Sequence, residues 1–335
     1  MAWQDGEFSR PRAPRRHVES EARKREVCLV IANGWLRGMT ILVGLLAGVS
    51  STAMAQPSRS RIEHVVLIGV DGMGAEGVRR VDPPILRSLQ ERGAWTRKAR
   101  AVIPTVSAPN WASMIMGAGP PQHGITSNEW RVDQFEIAPT CQDKGGYFPT
   151  IFRLLRAQRP SAKIAVIHEW KGLAHLFSAS DIDTLRQLPD HQETMQQAIE
   201  VLVQEKPTLT MIHLDHVDHA GHADGWHSPA YDEAIREADR LIGQLLDRLR
   251  RAGMLERTAI LVTADHGGKE KKHGGMSLGE IEIPWILTGP GVPKGEISDP
   301  VNTYDTAATI ADLLGLQPPK CWIGQSVRRQ VGIDR

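Results

Sequence analysis

The chain has 335 residues, of which 41% are hydrophobic and 24% are charged, so it can bury a sizeable apolar core. This balance excludes a disordered, collagen-like or coiled-coil protein. Its 40 basic and 39 acidic residues leave a formal net charge of +1, which gives no overall electrostatic attraction to nucleic acid. We therefore expect a globular protein without a nucleic-acid-binding surface.

The first 55 residues have the pattern of a secretory signal with an upstream extension. Basic residues from Arg12 to Arg37 precede an apolar run over 39–49, and small residues follow, ending in Ala53-Met54-Ala55. This order predicts cleavage before Gln56 and export to the periplasm or the medium. The apolar run is too short to span a bilayer comfortably, and an uncleaved membrane anchor is the alternative. No later segment has the pattern of a membrane span, and the sequence does not give the oligomeric state.

Two cysteines, Cys141 and Cys321, follow the predicted cleavage point. An exported protein meets oxidising conditions in which such a pair can form a disulfide. Because the sequence does not give their distance in space, a disulfide and two separate buried thiols are both open.

Apolar runs rich in β-branched residues predict buried strands at His64–Val70, 163–167, Leu209–Leu214, 259–263 and 284–287. Amphipathic helical patterns lie between these runs, most clearly over 231–251 and 305–314. This alternation predicts an α/β protein, a three-layer α/β/α sandwich with a mostly parallel central sheet. Residues 130–147 have no clear period, which predicts a loop or a small cap over the site.

Three of the predicted strands are followed within two residues by aspartate, and two of them by histidine as well. The first is followed by Asp71, the third by the segment Asp215–His222, and the fourth by Asp265-His266. Carboxyl ends of parallel strands meet at one edge of a sheet, where ligands bind. Carboxylates and imidazoles are ligands that Zn²⁺ prefers, and two nearby ions can bind both the attacking and the leaving oxygen of a phosphoryl group. The alternative is a solvated polar loop.

Six motifs together carry a family resemblance: Val70-Asp71-Gly72, the segment from Pro104 to Trp111, Gln122-His123-Gly124-Ile125, the segment from Asp218 to His222, Asp265-His266-Gly267-Gly268, and His273-Gly274-Gly275. On these motifs the chain resembles the type I phosphodiesterase/nucleotide pyrophosphatase branch of the alkaline phosphatase superfamily over residues 64–327. The resemblance implies an alkaline-phosphatase-like catalytic domain over 56–335. It also implies a metal-dependent hydrolase of phosphate esters.

The resemblance implies two divalent ions, expected to be Zn²⁺ with Mn²⁺ as the alternative. One ion would be held by Asp218, His222 and His273. The other would be held by Asp71, Asp265 and His266, with Ser107 directed toward it. Asp215 and His219 have the same four-residue spacing as Asp218 and His222, so they are an alternative ligand pair. The second pair is preferred because a glycine precedes His222, as in the family.

The same resemblance implies that Ser107 is the nucleophile, because the family places a Thr or Ser three residues before the motif's asparagine. The family's phosphate-binding asparagine corresponds to Asn128. Metal coordination would lower the pKa of the Ser107 hydroxyl, and Asn128 with the backbone N–H after Ser107 would bind the phosphoryl oxygens. Thr105 is a rival nucleophile, and a helix N-cap is the structural alternative for Ser107. Asp215 and Lys171 are candidate substrate-binding residues.

The expected substrate is a small phosphate diester or pyrophosphate. Sulfatases of this fold have an arginine where this chain has Trp111, and related monoesterases have a Lys-x-Arg pair where this chain offers Lys171 alone. A phosphomonoesterase is the alternative if the cap contributes Arg131 or Lys144, and a non-catalytic binder of phosphorylated ligands is a further one. Four tryptophans near the motifs could stack on a planar leaving group or could pack in the core: Trp111, Trp130, Trp170 and Trp226.

Overall fold

A computed structural model describes residues 62–329, so the predicted signal over 1–55 lies outside the described residues. The strands are β1 (His64–Val70), β2 (Ala94–Arg100), β3 (Ile164–His168), β4 (Thr184–Gln187), β5 (Leu209–Leu214), β6 (Thr258–Thr263), β7 (Glu282–Thr288) and β8 (Gly295–Glu296). The helices are α1 (Ala75–Val81), α2 (Pro84–Arg92), α3 (Ser107–Met116), α4 (Pro120–His123), α5 (Ile151–Gln158), α6 (His191–Glu205), α7 (His216–Asp224), α8 (Pro229–Arg251), α9 (Leu278–Ile281) and α10 (Asp305–Leu313).

The strands form one sheet in the order β4-β3-β5-β1-β6-β7-β2-β8. Pairing is parallel from β4 to β6, whereas β7 runs antiparallel to both β6 and β2. Every residue of β1, β5 and β6 is buried, as expected for strands covered on both faces. The prediction of a mostly parallel central sheet is therefore confirmed.

The helices form two groups, one on each face of this sheet. Helix α8 packs against α1, α2, α6 and α7, and α10 packs against α3 and α5. Helix α8 begins where the Ser228 side chain accepts the N–H of Tyr231, and its apolar stripe, including Ile235, Ile242 and Leu249, is buried. The result is the predicted three-layer α/β/α sandwich.

Element boundaries agree with the predictions for β1 and β5 and differ by one or two residues for the other predicted elements. The strand predicted at 163–167 covers Ile164–His168, and the helix predicted at 231–251 begins at Pro229. Residues 130–147 contain no helix or strand apart from an isolated bridge between Arg131 and Gln134. The absence of a period in this segment therefore corresponds to irregular backbone.

A disulfide joins Cys141 to Cys321 across 180 residues, which decides between the two alternatives for this pair. It ties residues 130–147 to the chain segment after α10. The neighbouring Trp322 adds a second connection, because its Nε1 donates to the Pro149 carbonyl at 2.9 Å. In the part of the chain that the structure describes, no helix combines the length and apolar character needed to cross a membrane.

Candidate metal and phosphate site

Three neighbouring strands bring the Asp and His motifs to one edge of the sheet. Asp71 directly follows β1, and Asp265 follows β6. Helix α7 begins two residues after β5, which places Asp218 and His222 one turn apart on the same helical face. Because β1 lies between β5 and β6, the three strand ends are adjacent.

Gly72 allows α7 to approach the end of β1. Its φ of +69° lies in the left-handed region, and a Cβ built there would lie 2.8 Å from the Asp218 Cα. Any side chain would therefore force α7 and its carboxylate away from Asp71. This close approach requires glycine at position 72.

The first cluster consists of Asp218, His222 and His273. The Nε2 atoms of the two histidines are 3.1 Å apart, and Asp218 Oδ2 lies 3.4 Å from His222 Nε2. Asp218 Oδ1 lies 3.7 Å from His273 Nε2. Ligands of a tetrahedral zinc ion at its usual bond lengths lie about 3.3 Å from one another. These three side chains are therefore spaced as ligands of one ion.

The second cluster has His266 Nε2 at its centre. This atom lies 3.2 Å from Asp265 Oδ2, 3.5 Å from Asp71 Oδ1 and 3.4 Å from Ser107 Oγ. All four residues are buried, and Ser107 is 7% exposed. The hydroxyl of Ser107 therefore faces the same point as the two carboxylates and the imidazole.

The three histidines share one orientation that leaves Nε2 available to the clusters. Nδ1 of His222 faces the Lys271 carbonyl at 3.0 Å, Nδ1 of His273 faces the Thr105 carbonyl at 2.8 Å, and Nδ1 of His266 faces the Gly267 carbonyl at 2.8 Å. A carbonyl only accepts, so Nδ1 carries the proton in each ring. The unprotonated Nε2 is then the atom that can bind a metal ion.

The protein does not fully compensate the negative charge of the buried aspartates in the two clusters. Asp71 Oδ1, Asp218 Oδ1 and Asp265 Oδ2 are buried and have no hydrogen-bond partner among residues 62–329. Burial, followed by repulsion from a neighbouring carboxylate, raises the pKa of Asp71 and of Asp218. Burial also raises the pKa of Asp265. Divalent cations between these groups would satisfy the unpartnered oxygens and favour the ionised forms, so the residues fit metal binding.

Asp215 does not join the first cluster, although its spacing to His219 allowed that alternative. Its Oδ2 lies 3.2 Å from His219 Nε2, and the His219 side chain is 71% exposed. The described residues bring potential ligand atoms together in two further groups that share Asp71, one with Asp218 and His266 and one with His213 and Asp215. The structure therefore groups Asp218, and not Asp215, with His222 and His273.

Ser107 is the first residue of α3 and does not act as its cap. The N-cap residue is Val106, whose side chain makes no capping hydrogen bond. The rival nucleophile Thr105 is committed to the backbone, because its hydroxyl donates to the Gly275 carbonyl at 2.9 Å and accepts the Gly274 N–H at 3.0 Å. Ser107 is therefore the hydroxyl that faces the clusters.

Asn128 lies beside the start of α3. Its Oδ1 accepts the backbone N–H of Ala108 at 2.8 Å. This N–H, which is predicted to bind a phosphoryl oxygen, orients Asn128 in the structure. With Oδ1 held in this way, the side-chain NH₂ of Asn128 is the group left to donate to a ligand.

The structure also locates the other residues considered for substrate binding, which are Lys171, Arg131 and four tryptophans. Lys171 is exposed and begins a short 3₁₀ turn after β3. Arg131 of the cap lies closer to Asn128, since its Nη1 reaches the Asn128 carbonyl at 3.4 Å and the Trp130 carbonyl at 2.6 Å. Of the four tryptophans considered for stacking, Trp170 is half-buried and the other three are buried in the core.

Comparisons with known proteins agree with the motif-based resemblance. Mouse ectonucleotide pyrophosphatase/phosphodiesterase family member 1 is 25% identical over 268 residues, which cover 74% of this chain and 29% of that protein. The chain thus spans less than a third of the length of this relative. Mouse ectonucleotide pyrophosphatase/phosphodiesterase 5, as an inactive variant in complex with AMP, aligns with a TM-score of 0.66 at 16% identity, covering 81% of this chain and 100% of that chain.

A second solved structure, a mutant of the alkaline phosphatase PafA, aligns with a TM-score of 0.68 at 12% identity and covers 81% of this chain and 99% of that chain. At such identities the two structures establish a shared alkaline-phosphatase-like fold. The family model described as type I phosphodiesterase / nucleotide pyrophosphatase matches residues 65–282. Since that match covers more than half of the chain, the chain belongs to the type I phosphodiesterase/nucleotide pyrophosphatase family.

Proposed function

We propose that the chain is a metal-dependent phosphodiesterase or nucleotide pyrophosphatase that uses Ser107 as its nucleophile. The observation that carries this proposal is the position of Ser107 Oγ, 3.4 Å from His266 Nε2 in a buried cluster of Asp and His side chains. A serine hydroxyl is a weak nucleophile unless a neighbouring base or a metal ion activates it. Ser107 lies where such activation is available.

Two divalent ions, expected to be Zn²⁺, fit the residues of the site. Asp218, His222 and His273 would hold one ion, and Asp71, Asp265 and His266 would hold the other, with Ser107 beside it. Bound there, such ions would favour the alkoxide of Ser107 and neutralise charge on the attacking and leaving oxygens. The unpartnered oxygens of Asp71, Asp218 and Asp265 support this assignment.

The reaction would proceed in two displacements at phosphorus. Ser107 Oγ gives up its proton and forms a bond to phosphorus while the bond to the leaving alcohol or phosphate breaks, and the leaving oxygen takes up a proton from solvent. The intermediate is phosphorus bound to Ser107, still carrying the substrate's other substituent. Water then attacks phosphorus and releases Ser107. The Asn128 amide, oriented by Ala108, would donate to a phosphoryl oxygen in both steps.

A diester or pyrophosphate is the proposed substrate class because the site offers little positive charge beyond metal ions. Lys171 is exposed, and the residue two positions before it, Glu169, is a buried carboxyl that accepts the Asp215 N–H at 3.1 Å. A phosphate monoester dianion carries one more negative charge and would need a further donor. The proposed enzyme is exported, in keeping with the basic and apolar pattern of residues 1–55.

A phosphomonoesterase is the second candidate, and Arg131 is the observation that favours it. Its guanidinium lies beside the backbone of Asn128, so a cap cation is close to the proposed phosphate-binding residue. A rotation of this side chain toward the substrate would supply the missing charge-assisted hydrogen bond. Such a bond is worth about 1.5–3 kcal/mol, or roughly 10- to 150-fold in rate.

A panel of p-nitrophenyl substrates tests the proposal. The purified protein, with its divalent-ion content measured on the same sample, is assayed on bis-p-nitrophenyl phosphate, the monoester and the sulfate, with and without a chelator. We expect the highest kcat/KM on the diester and loss of turnover on chelation. A tenfold preference for the monoester would favour the second candidate, and activity that survives complete metal removal would contradict both.

A further inference from the structure

Two buried N–H groups converge on one oxygen of Asp71. Trp111 Nε1 donates to Asp71 Oδ2 at 3.0 Å, and His213 Nε2 lies 3.2 Å from the same oxygen. Trp111 and His213 are both fully buried. The reaction described above uses neither side chain.

The other oxygen of Asp71 is left for the second cluster. Asp71 Oδ1 has no hydrogen-bond partner in the described part of the chain and lies 3.5 Å from His266 Nε2. A carboxylate oxygen only accepts, so the proton of His213 resides on Nε2, and His213 Nδ1 has no partner among the described residues. The two donors therefore distinguish the oxygens of Asp71, with Oδ2 bound to N–H groups and Oδ1 facing His266 and Ser107.

Gly69 creates the space for this arrangement. It lies opposite His213 in the register of β1 and β5. A Cβ at Gly69 would lie 2.3 Å from the Trp111 ring, so only glycine lets the indole approach the strand. The Trp111 and His213 rings then meet edge to face, with centroids 4.8 Å apart. Packing thus fixes both donors before any ligand binds.

We propose that Trp111 and His213 are positioning residues that hold Asp71 in the orientation that presents Oδ1 to a divalent ion bound with Asp265 and His266. This inference rests on the proposed metal sites and is independent of which ester is cleaved. Hydrogen-bond partners of metal ligands orient the ligand, and their loss typically weakens metal affinity about 10- to 100-fold. We expect the effect mainly at the second cluster, because in the described part of the chain both donors bind Asp71 and form no hydrogen bond to Asp218, His222 or His273.

A third cation beside Asp71, His213 and Asp215 is the competing explanation for this cluster. Two N–H groups aimed at Asp71 Oδ2 oppose it, because their partial positive charges occupy the oxygen that such a cation would need. The two explanations differ in the number of bound ions. Ours requires no ion beyond the two held by the clusters.

The test compares Trp111→Phe with Trp285→Phe in the full chain. Trp285 is also fully buried, and its Nε1 donates to Thr306 Oγ1 at 3.1 Å, so the control loses one buried indole hydrogen bond elsewhere. Zn²⁺ is titrated into each apoprotein in competition with a chromogenic chelator. We expect Trp111→Phe to weaken the affinity for one of the two Zn²⁺ ions about 10- to 100-fold and to leave the affinity for the other unchanged. Trp285→Phe should bind both ions as the wild type does.

A second pair of variants covers the case in which Trp111→Phe does not fold. His213→Gln retains a side-chain N–H donor and should keep Zn²⁺ affinity close to that of the wild type. His213→Leu has no such donor and should bind one of the two Zn²⁺ ions more weakly. Wild-type Zn²⁺ affinity in both Trp111→Phe and His213→Leu would overturn the inference. An equal loss of Zn²⁺ affinity in Trp285→Phe would also overturn it. So would a third Zn²⁺ ion in the wild type that is lost when His213 is replaced. A wild-type protein that binds no Zn²⁺ would instead refute the proposed metal sites themselves.

Discussion

At the scale of single residues, the site depends on which hydroxyl and amide groups are free. The Thr105 hydroxyl bonds to backbone groups of Gly274 and Gly275, whereas Ser107 Oγ faces His266. Asn128 has its oxygen fixed by Ala108, which leaves its NH₂ group available. These hydrogen bonds give each polar side chain near the start of α3 a different role.

Ser107→Ala should abolish turnover while the fold and the ion content stay nearly unchanged. Removing a nucleophile typically costs at least about 10³-fold in kcat, and Ser107 supplies at most one of the ligands in its cluster. Steady-state kinetics on bis-p-nitrophenyl phosphate, with metal analysis of the same sample, checks this. Thr105→Val is the matched control, and the assignment is wrong if that variant loses turnover while Ser107→Ala keeps it.

Arg131→Ala separates the two candidate substrate classes. If the enzyme prefers diesters, this variant should change kcat/KM for the diester less than about threefold, since the hydrogen bonds of Arg131 to the described residues go to backbone carbonyls near Asn128. A monoester dianion would use the guanidinium more, so its kcat/KM should fall about 10- to 150-fold. Lys98→Ala, which removes an exposed cation of β2 outside the cap, is the control. A large loss on the diester alone would contradict this account.

At the scale of elements, the cap over residues 130–147 lacks regular structure and is held by other means. The Cys141–Cys321 disulfide links it to the segment after α10. Trp322 packs against Gly117 at the end of α3 and bonds the Pro149 carbonyl. Irregular backbone of this length needs such connections, because it has few internal hydrogen bonds to oppose its conformational entropy.

The double variant Cys141→Ser/Cys321→Ser should therefore lower the free energy of unfolding. Constraining a loop of 180 residues in the unfolded chain is expected to contribute about 2–5 kcal/mol. Urea denaturation of oxidised wild type and of the double variant checks this. The strand framework does not include either cysteine, so residual activity should remain, and equal midpoints for the two proteins would contradict a stabilising disulfide.

Some elements could be predicted from sequence and others could not, for physical reasons. Strands β1 and β5 were predicted with their observed bounds, because a strand buried on both faces is continuously apolar. Strand β2 is not predicted, because three of its seven residues are basic and it has no continuous apolar run. Strand β4 was also missed, because it lies at the sheet edge with most of its residues exposed.

At the scale of the whole molecule, the sheet order makes the site from distant parts of the chain. The motifs that follow β1, β5 and β6 predict that aspartates and histidines meet at one edge of the sheet, whereas their division into two ligand sets rests on the family resemblance. The partners of Asp71 could not be predicted in the same way. Trp111 and His213 reach it only through the register of Gly69 with His213 and the packing of α3 on β1. Such contacts leave no local pattern in the sequence.

The number of divalent ions per active chain is the measurement that tests the central claim most directly. Wild type, His273→Ala and Asp265→Asn are purified in full length and analysed by elemental mass spectrometry alongside diester hydrolysis. We predict close to two ions in the wild type and close to one in each variant, because each substitution removes a ligand from a different cluster. An active wild-type preparation with no bound divalent ion would contradict the account.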